Sequence, residues 1–228
     1  MNIYGLQKLT LLDYPGHLAC TVFLSGCDFR CPYCHNFALA CSKLEPLMDD
    51  IRLMKFLEGR TGILEGVAIT GGEPCLTKEL PTLLSSIKKL GLKTKLDTNG
   101  NHPDILERLF EKDLVDYIAM DVKNSPGRYA ETVGHEYTNL KNITKSIDLI
   151  MNSGIEYEFR TTVVNDFHDE DSIERIGEMI EGADKYFLQK FVDRDSVPLE
   201  GLSSPPKFTL EKYRKIVKPY VKYVGIRG

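Results

Sequence analysis

The chain has 228 residues, enough to bury a full core as one large domain or two small ones. Charged residues make up 27% and hydrophobic ones 42%, a globular balance that excludes wholesale disorder. A net charge of -4 gives no basis for non-specific nucleic-acid binding, and no apolar run approaches the roughly 20 residues that a membrane span requires. The start, "MNIYGLQKLTLLDYPG", lacks a basic-then-apolar signal pattern, so the expected compartment is the cytoplasm. There, six cysteines are expected to bind metal or stay free rather than form disulfides.

The first β-prone run, "ACTVFL" (19–24), leads into "GCDFRCPYCHN" (26–36), which holds Cys27, Cys31 and Cys34 in a C-x3-C-x2-C array. A second strand is predicted at "GVAIT" (66–70) and ends in "TGGEP". Leu80, Leu83, Leu84, Ile87 and Leu90 then follow one face of a helix, with Gly91 placed to end it. "KTKLDT" (93–98) predicts a third strand running into "DTNG", and "DYIAMDV" (116–122) a fourth ending in "MDVK". Leu140, Ile143, Ile147 and Ile150 mark a second helix, stopped near Gly154. A strand at "YEFRTTVV" (157–164) carries Arg160, and a helix follows on Ile173, Ile176 and Ile180. The sixth strand, "KYFLQKF" (185–191), carries Gln189. Residues 193–208 form the one long irregular stretch before a last helix and strand.

Strands alternating with helices imply βαβ crossovers and a parallel sheet, open or curled into a partial barrel. No Pro/Ser-rich linker divides the chain, so the expectation is one domain over 1–228, with a core at about 18–191 and a C-terminal extension at about 192–228. In parallel α/β folds, ligands bind at the carboxyl ends of the strands. The cysteine loop, the Gly-Gly-Glu-Pro turn, the Asp-Thr-Asn-Gly turn and the Asp-Val-Lys end all fall there. Each taken singly is an ordinary turn or solvated strand end. Their repetition at one end of one sheet is what marks a site.

Three thiols so close together suit neither a disulfide, which uses two, nor a tetrahedral zinc site, which uses four. A structural zinc with His35, Cys20 or Cys41 as fourth ligand is the competing reading of the loop. Paired carboxylates for hydrolysis are the competing reading of Asp97 and Asp121, although no general-base histidine or nucleophile accompanies them.

C-x3-C-x2-C after the first strand, with Gly-Gly-Glu-Pro after the second, resembles the radical S-adenosylmethionine (SAM) enzymes. Within them the whole chain, from "DYPG" through "CPYCHN", "GGEP", "LDTNG" and "MDVK" to Arg160, resembles the activating enzymes of glycyl radical enzymes. Those of anaerobic ribonucleotide reductase and pyruvate formate-lyase are the nearest in pattern. The resemblance implies a partial (β/α)6 barrel of the radical SAM type, with outer helices. It implies a 4Fe–4S cluster on Cys27, Cys31 and Cys34, whose open iron takes the amino and carboxylate groups of SAM. One-electron reduction then yields a 5′-deoxyadenosyl radical, which abstracts hydrogen from a glycine of a partner enzyme. The cofactor carries that chemistry, and the protein places it.

By the same resemblance, the backbone from Tyr33 to His35 and Asn36 lines the adenine pocket, and Gly71, Gly72 and Glu73 receive the amine. Lys123 and Arg160 suit the carboxylate, Asn99 is a further cofactor-binding residue, and Gln189 faces the nucleoside. At Gln189 the pyruvate formate-lyase activase pattern has histidine instead. Asp97, Thr98, Asp121 and the Ala119 carbonyl match a site for a monovalent cation, K⁺ or Na⁺. Phe29 and Tyr33 shield the cluster, and Cys75 is a free structural thiol. No cysteine follows position 75, which leaves no ligands for auxiliary clusters beyond it.

The expected electron donor is flavodoxin or ferredoxin. The expected partner is the anaerobic ribonucleoside-triphosphate reductase, on the strength of "GLQKLTLLDYPG" and "VGIRG". Pyruvate formate-lyase, or a small-molecule reaction such as that of 7-carboxy-7-deazaguanine synthase, is the alternative. Segment 193–208 and the turn from Asp13 to Gly16 are expected to form the rim, with Asp13 bonding the incoming peptide backbone.

Overall fold

The computed structural model describes residues 1–135 and 138–228. The elements run β1 (Asn2–Ile3), β2 (Gly5–Thr10), β3 (Ala19–Leu24), α1 (Phe37–Ala40), β4 (Met48–Asp49), α2 (Asp50–Glu58), β5 (Gly66–Gly71), α3 (Leu80–Lys89), β6 (Lys93–Thr98) and α4 (Pro103–Glu111). They continue with β7 (Tyr117–Asp121), α5 (Tyr129–Val133), α6 (Leu140–Met151), β8 (Glu156–Val163), α7 (Glu170–Met179), β9 (Lys185–Lys190), α8 (Lys207–Val217) and β10 (Tyr223–Arg227). All six strands expected from apolar runs are present, each within a residue or two of its predicted limits. The class is α/β.

The chain gathers into two compact units, both drawn from separate stretches of sequence. The first holds Met1–Asp28, Ala38–Thr98 and Asp104–Ile118; the second holds Phe29–Phe37, Asn99–Pro103 and Ala119–Gly228.

In the first unit, β3 pairs in parallel with β5 and β5 with β6, while β2 lies antiparallel on the outer side of β3. Five of the six residues of β3 and the first four of β5 are buried, as befits strands covered on both faces. Helix α3 buries Leu80, Leu83, Leu84 and Ile87, the stripe read from its spacing. Asp49 caps α2 by accepting the Arg52 N–H at 2.8 Å.

In the second unit, β8, β9 and β10 pair in parallel, and the Val122 N–H donates to Arg160 O at 2.8 Å. Helix α6 buries Ile143, Ile147 and Ile150, and α7 buries Ile173 and Ile176. The side chain of Asp169 and that of Ser172 form a capping box at the start of α7. Among the described residues, no helix is long and apolar enough to cross a membrane.

The turn from Asp13 to Gly16 departs from its expected place. The Tyr14 ring packs against Gly66 and Tyr117, the first residues of β5 and β7, and His17 Nε2 lies 2.8 Å from Nζ of Lys93, the first residue of β6. That is the amino end of these strands, so the turn is not part of a rim at their carboxyl ends. Asp13 accepts the Thr21 hydroxyl at 2.6 Å, a bond within the fold. In the segment 193–208, Leu199 N–H donates to Pro32 O at 3.1 Å, inside the cysteine loop.

Candidate active site

In the first unit, the end of β5 is pressed against the lead-in to Cys27. Gly72 N–H donates to Leu24 O at 2.9 Å, and Glu73 N–H to Gly26 O at 2.7 Å. Gly71 has φ +123°, and a Cβ there would lie 2.1 Å from Leu24 O; one at Gly72 would lie 2.0 Å from Gly26 O. Only glycine fits so close a backbone approach. Gly26 N–H and Cys27 N–H in turn donate to Leu39 O and Ala40 O, at 2.9 and 3.1 Å. The Gly-Gly pair thus fixes the entry to the cysteine loop.

Glu73 is 1% exposed, and its Oε1 accepts Cys75 N–H at 3.0 Å and the Thr98 hydroxyl at 2.9 Å. Its side chain therefore ties the end of β5 to the end of β6. Asp97, two residues along β6 from Lys95, is ion-paired with it. Burial raises the Cys75 thiol well above its ordinary value and carries Cys20 to about 12, in keeping with unreactive structural thiols.

In the second unit, Cys34 N–H closes a turn onto Cys31 O at 3.1 Å. Burial pushes the Cys31 thiol up to about 11, against the pull of the Lys123 ammonium. The hydroxyl of Tyr33 is buried without a hydrogen-bond partner, while its ring packs on Phe167 with centroids 5.7 Å apart. Phe29 meets Tyr129 edge-on at 6.4 Å. His35 stacks on Phe191, and its Nε2 lies 2.6 Å from Val192 O, so the ring leans on the start of the irregular segment.

Asp121 is the hub of the charged residues here. Its Oδ2 accepts Lys123 Nζ at 2.9 Å and its Oδ1 accepts Arg160 Nε at 2.8 Å. Burial works against ionisation of Asp121, but the two cations outweigh it and hold the carboxyl well below the usual range. Lys123 likewise stays above its ordinary value: burial opposes its charge and the Asp121 carboxylate more than restores it. Two cations against one carboxylate leave this trio with one positive charge in excess.

The remaining predicted residues have local roles as well. Asn99 is 6% exposed, and its Oδ1 accepts Asn101 N–H at 2.9 Å, the side-chain turn common to such sequences. Gly100 sits at φ +79° against the Met120 side chain. Gln189 receives the Thr162 hydroxyl at a long 3.5 Å. Asn36 is half-buried.

Three supporting residues were not singled out from sequence. Asn124, fully buried, donates to Thr132 Oγ1 and Phe167 O and accepts Ser125 N–H. His168 Nε2 lies 2.9 Å from Lys123 O. The Tyr129 hydroxyl accepts Lys123 N–H at 3.3 Å. All three anchor the segment that follows β7. For Asn124 and His168 a polar residue soon after a strand end was the available signal; Tyr129, inside α5, carried none.

The comparisons decide the family. The model of the radical SAM superfamily matches residues 21–181. The chain belongs to the radical SAM superfamily. A Methanocaldococcus jannaschii protein, provisionally named a glycyl-radical enzyme activating enzyme, is 34% identical over 99% of this chain and 95% of its own length. The pyruvate formate-lyase 1-activating enzyme of Escherichia coli is 25% identical over 96% of each chain. The structure of Streptococcus suis SuiB bound to S-adenosylmethionine superposes with a TM-score of 0.69 at 14% identity, over 91% of this chain and 52% of that one. A domain of a pyruvate-formate lyase-activating enzyme from Bacteroides vulgatus gives 0.58 at 19%, over 72% and 99%. This radical SAM enzyme is therefore one of the glycyl-radical activating type by sequence, and it has the radical SAM fold.

Membership implies a 4Fe–4S cluster and SAM, and the residues present fit both. The loop offers three thiols and no more, as a cluster with one open iron requires. Beside Cys31 lie a buried, unpartnered hydroxyl and a trio with surplus positive charge, suited to the carboxylate group of a polar ligand such as SAM.

Proposed function

We propose that this radical SAM enzyme activates the anaerobic ribonucleoside-triphosphate reductase by taking a hydrogen atom from a glycine of that protein. The observation that carries the reading is the whole-length match to a glycyl-radical activating enzyme, together with a three-thiol loop that begins where β3 ends. When bound, the cluster and SAM supply the one-electron cleavage and the hydrogen-abstracting group. The chain's own work is placement. Cys27, Cys31 and Cys34 would hold the cluster, and the backbone of Tyr33, His35 and Asn36 would line the adenine. Gly71, Gly72 and Glu73 would set the edge that receives the amine. Lys123 and Arg160, held by Asp121, would meet the carboxylate of SAM with the surplus charge of their trio. Gln189 would face the nucleoside, and Asn99 would bind elsewhere on the cofactor. Segment 193–208, which reaches Pro32, would bound the opening through which a glycine loop approaches. Flavodoxin or ferredoxin would supply the electron, in the cytoplasm.

Pyruvate formate-lyase is the second reading, favoured by the E. coli match. Anaerobic incubation of reduced protein and SAM with each candidate partner, followed by EPR, separates the two. A glycyl doublet on the reductase is expected; a doublet on pyruvate formate-lyase alone would reassign the partner. Cleavage of SAM with no protein radical on either would favour a small-molecule substrate.

A further inference from the structure

Lys95 is an unexpected residue in the middle of a buried strand. It is 1% exposed, among the largest fully buried side chains of the protein, and its ammonium is ion-paired with Asp97. Positions 95 and 97 share one face of β6, so the lysine lies directly behind the carboxylate that ends the strand. The Tyr117 ring lies 6.0 Å from the Lys95 Nζ, an aromatic neighbour that also favours a cation. Lysine is almost never fully buried unless paired, and an apolar residue of similar volume would serve packing better. Lys95 is explained by Asp97.

The family resemblance implied a K⁺ or Na⁺ ion held by Asp97, Thr98, Asp121 and the Ala119 carbonyl. Such a site depends on the unneutralised charge of its two carboxylates. Here Asp97 has Lys95, and Asp121 has both Lys123 and Arg160. Each carboxylate therefore already has a side-chain cation within its own unit, and neither offers a metal the unneutralised charge that such a site needs. The residues do not fit a monovalent metal.

We propose that Lys95 is the resident counter-cation of Asp97, and that SAM binds this enzyme without a monovalent metal ion. This rests on reading the site as the SAM site. The lysine ammonium pairs with Asp97 and holds it in place from within the strand, a task that would otherwise need an exchangeable ion. Lys95 is thus a positioning residue, acting through Asp97.

The test is SAM affinity of the anaerobically reconstituted protein in KCl, NaCl and tetramethylammonium chloride at one ionic strength. Wild-type dissociation constants should agree within about twofold across the three salts, because no metal takes part. Lys95→Met should weaken binding by about tenfold or more in tetramethylammonium and recover in KCl or NaCl, as the vacated charge is replaced. A purely structural lysine would show no such rescue. Wild-type binding that requires K⁺ or Na⁺ would overturn the assignment while leaving the SAM site intact. Lys95→Met that binds like wild type in every salt would overturn it too. No wild-type SAM binding in any salt would overturn both readings. Should Lys95→Met fail to fold, the wild-type series still decides, and Lys95→Arg, which keeps the charge, should remain indifferent to the salt.

Discussion

Asp121→Asn is the substitution whose cost the structure defines best. It keeps the shape of the side chain and removes the one anion between Lys123 Nζ, at 2.9 Å, and Arg160 Nε, at 2.8 Å. The side chains of Lys123 and Arg160 are only 16% and 12% exposed, so water cannot replace the lost carboxylate fully. Breaking a buried pair from one side costs about 3–5 kcal/mol; with Asp121 itself 27% exposed, screening brings the expectation to about 2–4 kcal/mol. In a chain of this size about 3 kcal/mol lowers Tm by about 6–12 °C. The deficit should also depend on pH. Because the folded carboxyl sits below its ordinary value, its stabilising contribution is complete above the unfolded pKa of about 3.9 and is lost as pH falls below it. Urea unfolding of the apoprotein should therefore show a constant gap between wild type and Asp121→Asn from pH 8 to about 5, closing below about 4. A gap under about 1 kcal/mol, or one undiminished in acid, would refute the assignment of Asp121 as the hub of a buried ionic trio.

Other outcomes follow from single contacts. Alanine at Cys27, Cys31 or Cys34 should abolish the brown cluster and SAM cleavage, whereas alanine at Cys20, Cys41 or Cys75 should retain both; anaerobic absorption spectra and product analysis check this. Gly72→Ala forces a Cβ to within 2.0 Å of Gly26 O and should prevent stable cluster assembly, with a stability loss of about 2 kcal/mol or more by urea titration. Gln189→Ala should weaken SAM binding by about three- to tenfold, the worth of one hydrogen bond, with little change in Tm.

The strands at 19–24, 66–70 and 116–122 were legible because burial on both faces demands continuous apolar runs, and those at 93–98, 157–164 and 185–191 because short β-prone runs alternate with helical spacing. β2 was not legible, because it is an outer strand with three consecutive exposed residues, Gln7, Lys8 and Leu9, and so shows no alternation. Helix α2 buries only Leu53 and Leu57, and β1 and β4 are two residues each, too short for any period to show. In the site, the cysteine spacing and the glycines announced themselves, since only a few residues can do what they do. The pairing of Asp121 with Arg160, 39 residues away, could not be read, because periodicity places a residue on a strand without naming its neighbour. Asp13 misled for the same reason: a polar turn beside a strand looks alike at either end. Lys95 was overlooked because "KTKLDT" reads as an ordinary strand until the burial of its second lysine is seen.

The central claim is that this radical SAM enzyme takes hydrogen from a glycine Cα of a partner protein. The most direct measurement uses a partner, first the anaerobic reductase and then pyruvate formate-lyase, prepared with α-deuterated glycine. It is incubated anaerobically with the reduced enzyme and SAM, and the 5′-deoxyadenosine formed is analysed by mass spectrometry. The account predicts 5′-deoxyadenosine carrying deuterium, in amounts matching the glycyl radical counted by EPR. Deoxyadenosine free of deuterium with both partners, or no cleavage of SAM at all, would contradict it.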